Sequence, residues 1–396
     1  MFRHIEEQEE NMSSLAFKTR TELLHRENPS KDNVWVIAED IGYSSVKLMC
    51  PNKVGVFPSY ARKITENKMS LKEESPTDIR YRDSEGMWVI GNLAYEDVNS
   101  SEVIESESEL FGRNRYNSPM FKVLARTGLA IGLIANSYGN PEGKAIKVQT
   151  GLPPKYLKAD KEHLTNALSG HHQFDIRIGK APWQHFDFTL NKEDIFVMPQ
   201  PLGALVSTTI GKNGKQVSDA KRFFNSNVVI IDPGCGTCDE YVVKNGKVVD
   251  HDTHPELSMH EVFSRTCKNI FDVYGLDIQV PELQNYLESG TVRVLDTSGP
   301  RPKRKTCSFE NILKENCKKV CNEAIEKLNN RYNYFLDTDL IIATGGTYDA
   351  WGNTFSDAFM DMDDLRIIPG NINEPELSNI YSNVRGYYYY LLNSLK

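Results

Sequence analysis

Asp40 and Asp232 stand at matching places in two stretches of similar design. The first runs Val34 to Ile41, turns through Gly42, Tyr43, Ser44 and Ser45, and resumes as Val46, Lys47 and Leu48. The second runs Val228 to Pro233, turns through Gly234, Cys235, Gly236 and Thr237, and resumes to Val243. Each reads as an apolar strand closing on an aspartate, a tight turn of glycine and small residues, and a second strand. Each then passes through another turn, Pro51-Asn52-Lys53 or Lys244-Asn245-Gly246, into a third strand. Asn-Gly between β-rich runs is a strong hairpin signal. A glycine-rich turn aims backbone N–H groups at one point, which suits phosphate. An aspartate at the strand end can hold a magnesium ion that keeps most of its waters. Two such hairpins, face to face, would clamp a magnesium nucleotide between two halves of one molecule.

The elements that must position these turns also read as a repeat. Residues 1–32 are polar without a sustained apolar face, which predicts a mobile arm with one short helix; Met12 is a second candidate start. Residues 33–212 form the first domain and 213–371 the second, with 372–396 returning to the first. In the first, the meander of about 33–59 precedes a small inserted subdomain, 61–114, whose one clear strand is Met87 to Gly91. Ser118-Pro119 opens a helix to Asn136, with proline in its first turn. Strands follow at Ala145 to Thr150, Phe186 to Leu190 and Ile195 to Met198, and helices at Lys161 to Leu168 and Leu202 to Ile210. In the second, helix Met259 to Tyr274 ends at Gly275. Residues 278–306 read as irregular. A long helix spans Phe309 to Arg331, with apolar residues at helical spacing. Strand Asp339 to Ala343 runs into Thr344-Gly345-Gly346-Thr347, and helix Pro375 to Ser394 closes the chain. Two meanders, each followed by alternating helix and strand, predict a mixed-sheet α/β fold duplicated within one chain.

The chain has 396 residues, 25% charged and 39% hydrophobic, as globular proteins do. Its formal charge of -8 argues against direct binding to DNA, which needs a basic face. No run is long and apolar enough to span a membrane. Seven cysteines at uneven spacing fit a reducing compartment, so a cytoplasmic location is expected.

The three motifs in order resemble the two phosphate motifs and the adenosine motif of the actin, sugar-kinase and chaperone ATPase superfamily. The third is Ile341-Ile-Ala-Thr-Gly345-Gly346. Within that superfamily the chain is similar to bacterial plasmid-segregation actins of the ParM/StbA type. Phe57-Pro58-Ser59, Trp88 to Gly91, the helix at Phe121, Gln149 to Pro153 and Val197 to Gly203 fall where that family has similar segments. The residues before Asn33 have no counterpart. The resemblance implies an actin-like fold: two ribonuclease-H-like domains with a nucleotide cleft between them and small inserted subdomains. It implies ATP, or GTP, with magnesium held near Asp40 and Asp232. It implies that Gly42, Tyr43, Ser44, Ser45 and Lys47 meet phosphate from one side. Gly234, Cys235, Gly236 and Thr237 would meet it from the other. Gly345, Gly346 and Thr347 would lie against the adenosine, and Glu261 and Arg265 are candidate adenine contacts. Its implied partners are further copies of itself in a filament and a DNA-binding adaptor on a plasmid centromere-like site.

Gln200 opens the first crossing between the halves, where many relatives carry glutamate. A carboxamide is a poor proton acceptor, yet it can orient a water for in-line attack. Gln200 and Asp232 are therefore the candidate catalytic residues of an ATPase. The alternative, a sugar-type kinase on the same fold, needs a carboxylate base for the substrate hydroxyl. A chaperone ATPase would need a peptide-binding domain after the nucleotide fold. A scaffold that binds nucleotide without hydrolysis is the non-enzymatic reading. Other spacings carry less. Cys235 and Cys238 have redox spacing but lie between strands. Cys317 and Cys321 share a helix face and read as core. His251, His254 and His260 lack a zinc pattern. Arg301 to Lys305 reads as a solvated basic loop.

Overall fold

The structure, a computed structural model, describes residues 13–64, 73–96, 112 and 114–395. Two sheets carry the repeat. In the first half the strands are β1 (Glu22–His25), β2 (Val34–Ile41), β3 (Ser45–Cys50), β4 (Lys53–Pro58), β5 (Ala61–Ile64), β6 (Ile79–Asp83), β7 (Gly86–Ile90), β8 (Ala145–Leu152), β9 (Gly170–Ile178), β10 (Gln184–Leu190) and β11 (Ile195–Pro199). In the second they are β12 (Val228–Pro233), β13 (Cys238–Lys244), β14 (Lys247–His254), β15 (Thr291–Asp296), β16 (Lys303–Ser308), β17 (Leu340–Ala343) and β18 (Arg366–Pro369). One sheet has the order β1-β4-β3-β2-β8-β11 and the other β14-β13-β12-β17-β18. With β1 removed, the two orders are the same. Each is an antiparallel meander extended by two parallel strands.

Strand alternation sends side chains to both faces of each sheet, and both faces are covered. Trp35 and Ile37 pack toward the helix Pro119–Leu133, against Leu129 and Ile131. Val36 and Ala38 point the other way, onto Val384 and Tyr387 of the closing helix Ser382–Ser394. In the second half Val229 and Ile231 meet the helices Met259–Tyr274 and Glu310–Arg331. Val228 and Ile230 meet Ala204 and Leu205 of the helix Gln200–Thr209. Gly275 ends its helix in the left-handed conformation, as expected (φ 68°).

Several expectations are corrected. Residues 13–32 hold the expected short helix but are not a free arm. They form a 3-10 turn, Ser14–Phe17, and the edge strand β1, because Phe17 and the β4 edge offer burial and backbone partners. Residues 1–12, including the candidate start at Met12, lie outside the described set. The inserted subdomain holds more than one strand: β10-β9-β6-β7-β5 form a five-stranded sheet. Part of residues 61–114 also lies outside the described set. Residues 278–306 are not irregular. Gln279 and Glu282 form a reciprocal capping box for the helix Val280–Tyr286, and β15 and β16 form a two-stranded sheet. Only Val292 and Cys307 of that hairpin are buried, so no apolar alternation betrayed it. Of the basic run, Lys303 to Lys305 lie in the exposed strand β16, and Arg301 and Pro302 stay in the loop before it.

Candidate functional site

The first loop closes with the Gly42 N–H donating to Ser45 O at 3.0 Å, and the second with the Gly234 N–H donating to Thr237 O at 2.7 Å. Both turns therefore hold the same residues-apart geometry on the same kind of hairpin. Their carbonyls are held from outside. The N–H groups of Met259 and His260, at the start of the helix Met259–Tyr274, donate to Gly234 O and Cys235 O at 3.1 and 2.8 Å. Thr347 Oγ1 donates to Gly234 O at 2.8 Å. Arg115, buried, donates to Ile41 O and Gly42 O at 3.0 and 3.2 Å. With loop carbonyls engaged this way, both turns are fixed in place.

The two loops meet. Arg115 lies 4.4 Å above the Tyr43 ring, and that ring sits against Gly236. A Cβ on Gly236 would come within 2.1 Å of it, so this position admits only glycine without movement. Gly345 takes φ 88°, a conformation that side chains rarely adopt, and brings its backbone against Asp232.

One cavity of about 630 Å³ receives all these parts, a size that suits a small-molecule cofactor. Asp40, Gly42 to Ser45, Lys47, Gln200, Asp232, Gly234 to Thr237 and Gly345 to Thr347 all line it. Glu261 and Arg265 do not. Arg265 is tied to Glu261 at 2.8 Å and to Glu323 at 2.6 Å, and the wall is made instead by Met259 and Phe263.

Charge is arranged differently on the two hairpins. In the register of β2 and β3, Asp40 is the partner of Lys47, and the two form an ion pair at 3.1 Å. Gln200 Nε2 donates to the other Asp40 oxygen at 3.0 Å. In the register of β12 and β13, Asp232 is the partner of Asp239. Burial, together with the Asp40 charge, pushes the Asp232 carboxyl up to about 6, although Asn383 donates to it at 2.6 Å. Burial and then the Asp232 charge hold Asp239 well above the carboxylate range. Thr237 Oγ1 donates to Asp239 at 3.2 Å. Burial also raises the Tyr387 phenol, reinforced by Asp40, Asp232 and Asp239, so it stays neutral between the halves. Burial raises the Cys235 thiol to about 11, which keeps it protonated within the second turn.

Two carboxylates from opposite halves, one held away from ionisation, fit a divalent ion with water between metal and protein. Asp40 and Asp232 would hold it, and it would offset phosphate charge. Among the described residues, no cluster has enough acidic, histidine or cysteine side chains to enclose a metal alone.

Asn383, Arg115, Asp239 and Asp349 were not singled out from the sequence. Asp239 had a signal, because a hairpin with this turn places it opposite Asp232. Asp349, pushed up to about 6 by burial, sits in the first turn after Gly345-Gly346. Asn383 and Arg115 arrive from distant segments, and nothing local marks them.

Residues 38–203 match the family model described as actin like proteins N terminal domain. No curated protein matches the sequence. Among solved structures, a non-polymerisable quadruple mutant of the pCBH ParM is 20% identical. It has a TM-score of 0.68, with 90% of this chain and 99% of that one covered. The 15-stranded ParM filament from Clostridium botulinum is 19% identical at a TM-score of 0.66, covering 91% and 99%. An archaeal actin homolog is 16% identical at 0.62, covering 91% and 100%. The expected likeness to plasmid-segregation actins is borne out in the fold, which is actin-like. Among the described residues, no helix is long and apolar enough to cross a membrane.

Proposed function

We propose that this actin-fold chain is a nucleotide-dependent, filament-forming ATPase that segregates plasmid DNA through a DNA-binding adaptor. The observation that carries the reading is the shared cavity: two turns of the same build, from opposite halves, line it together with Gly345 and Gly346. ATP, or GTP, with magnesium is the ligand that a paired phosphate cradle and a glycine-backed pocket would take.

Each residue has a part in such a cycle. Turn N–H groups and Lys47 hold the phosphates, Lys47 as a point charge. Asp40 and Asp232 hold the magnesium, which offsets charge on the transferred group. Gln200, at the start of the crossing helix, orients the attacking water. Positioning and charge stabilisation, more than strong base catalysis, govern phosphoryl transfer. Gln200 Nε2 donates to Asp40. That bond places the carboxamide beside the carboxylate that would hold the metal, within the same cavity. A ligand gripped from both halves favours one relative orientation of them. That orientation, repeated head to tail without closure, gives a filament. The chain's structural neighbours include a ParM filament and a non-polymerisable ParM mutant. The acidic chain would reach DNA through the adaptor rather than by itself, in the cytoplasm.

Sedimentation with and without magnesium-ATP, read beside phosphate release, tests the reading. Pelleting that depends on magnesium-ATP, with phosphate released afterwards, supports it. A chain that stays in the supernatant over a wide range of concentration and salt, or pellets equally without nucleotide, contradicts it.

A further inference from the structure

Residues Ser14 to Pro29 are anchored in both halves. In the second half, Ser14 Oγ donates to Leu287 O at 2.7 Å and the Ser14 N–H donates to Glu310 at 3.1 Å. Phe17 enters the core of that half and is 8% exposed. Lys18 pairs with Glu288 at 3.1 Å. In the first half, Glu22–His25 pair with β4, and Glu22 accepts from Tyr381 OH at 3.1 Å. Asn28 donates to Cys50 O at 2.7 Å, and Tyr388 OH donates to Pro29 O at 2.6 Å. Between these anchors, Thr19, Arg20 and Thr21 run along the cavity that holds the two turns.

We infer that residues 14–22 are a strap across the mouth of the nucleotide cleft, and that its docking on the second half sets how fast nucleotide enters and leaves. The inference rests on the proposed nucleotide site. A chain tether has a fixed reach: the Cα steps from Lys18 to Glu22 span at most about 14 Å. Opening the halves beyond that reach must strip one anchor. The anchor in the first half is a strand ladder with further bonds as far as Pro29. The anchor in the second half is one 3-10 turn, so it releases first. The same cleft mouth carries a second, weaker tie, from Asn285 Nδ2 to Tyr95 O at 2.7 Å on an exposed edge. Lids of this kind set exchange rates by gating access rather than by touching the reacting atoms.

Gating has a kinetic signature. A contact with the ligand changes mainly dissociation, whereas a gate changes association and dissociation together. The test is stopped-flow fluorescence with magnesium and a methylanthraniloyl-labelled ATP on the full chain. Phe17→Ala removes the apolar plug, and Lys18→Glu places like charge opposite Glu288 at the surface. The expected result for Phe17→Ala is a rise in both rates of at least about ten-fold, from losing most of one buried aromatic. The dissociation constant should stay within about three-fold. Lys18→Glu should raise both rates by a smaller factor. If Phe17→Ala loses its native circular dichroism, Lys18→Glu decides alone. Wild-type rates in the folded variants overturn the strap, as does a rise in dissociation only. Wild-type chain that gives no binding trace overturns the proposed function itself, and the strap with it.

Discussion

Asp239 lies directly opposite Asp232 on the β12–β13 ladder, where the same place on β2–β3 pairs Lys47 with Asp40. Cross-strand partners share a face, so opposite charges attract there and like charges repel. The first hairpin is therefore electrostatically complete without ligand. The second carries two buried carboxyls that resist ionising together. A cation would relieve that resistance, which makes the second hairpin the half most changed by magnesium.

The first prediction is a pH dependence. The Asp232 carboxyl sits at about 6 in the fold against an ordinary 3.8. A raised folded value means that the fold holds this proton more tightly than the unfolded chain does. The stability it contributes is complete below about 3.8 and is lost as pH rises through about 6. Asp232→Asn avoids that loss. Without nucleotide, the variant should melt higher than wild type at about pH 7.5 and no higher at about pH 3.5. Thermal melts at the two values check it, and equal melting at the higher pH contradicts it.

Gln200 should time disassembly rather than permit assembly. It donates to Asp40 from the first turn of the crossing helix and contributes no charge to phosphate. Gln200→Ala should keep nucleotide binding and polymer formation. It should slow phosphate release by roughly ten- to a thousand-fold, the size of a lost positioning or charge-stabilising group. Turbidity followed together with phosphate release checks both halves of the statement. Wild-type hydrolysis in the variant would reduce Gln200 to a helix-start residue.

Gly236→Ala should separate the loops. The added carbon would lie 2.1 Å from the Tyr43 ring, and that ring is backed by Arg115. Relieving the clash moves one turn away from the other, so nucleotide held by both should bind at least about ten-fold more weakly. Fluorescence titration with labelled ATP measures it. Unchanged affinity would show that Tyr43 swings clear at no cost.

A stability prediction concerns Arg385, which is 1% exposed and bonded to Glu374 at 2.7 Å and to Ser207 O and Ile210 O. Glu374 is fully buried and also meets Arg26 at 2.5 Å. Arg385→Ala strands a buried carboxylate with one remaining partner. A loss of roughly 3–5 kcal/mol is the range for a broken buried pair. Denaturant unfolding reads it, and a midpoint equal to wild type would contradict the account.

The doubled hairpin was legible because both of its signals are local: an aspartate after apolar residues, and glycine in a tight turn. So were Gln200 and the Gly345-Gly346 turn. What stayed hidden depends on partners far along the chain. Asn383 meets Asp232 only because the closing helix returns to the centre. Arg115 reaches the first loop from the edge of the inserted subdomain. Phe17 sits in a polar stretch and is buried by the other half. Strand β9 does alternate Phe174, Ile176 and Ile178, but its polar start, His171 to Gln173, obscured it. Glu261 and Arg265 were drawn from a helix that does approach the cavity. The helix turns Met259 and Phe263 inward and leaves the charged pair to Glu323.

Calorimetric titration of magnesium-ATP into the wild-type chain and into Asp40→Ala and Asp232→Ala tests the central claim most directly. The account predicts one site per chain, weakened by either substitution, because one ligand is held by both hairpins. Binding that survives both substitutions unchanged would contradict it, and so would binding that depends on only one of the two aspartates.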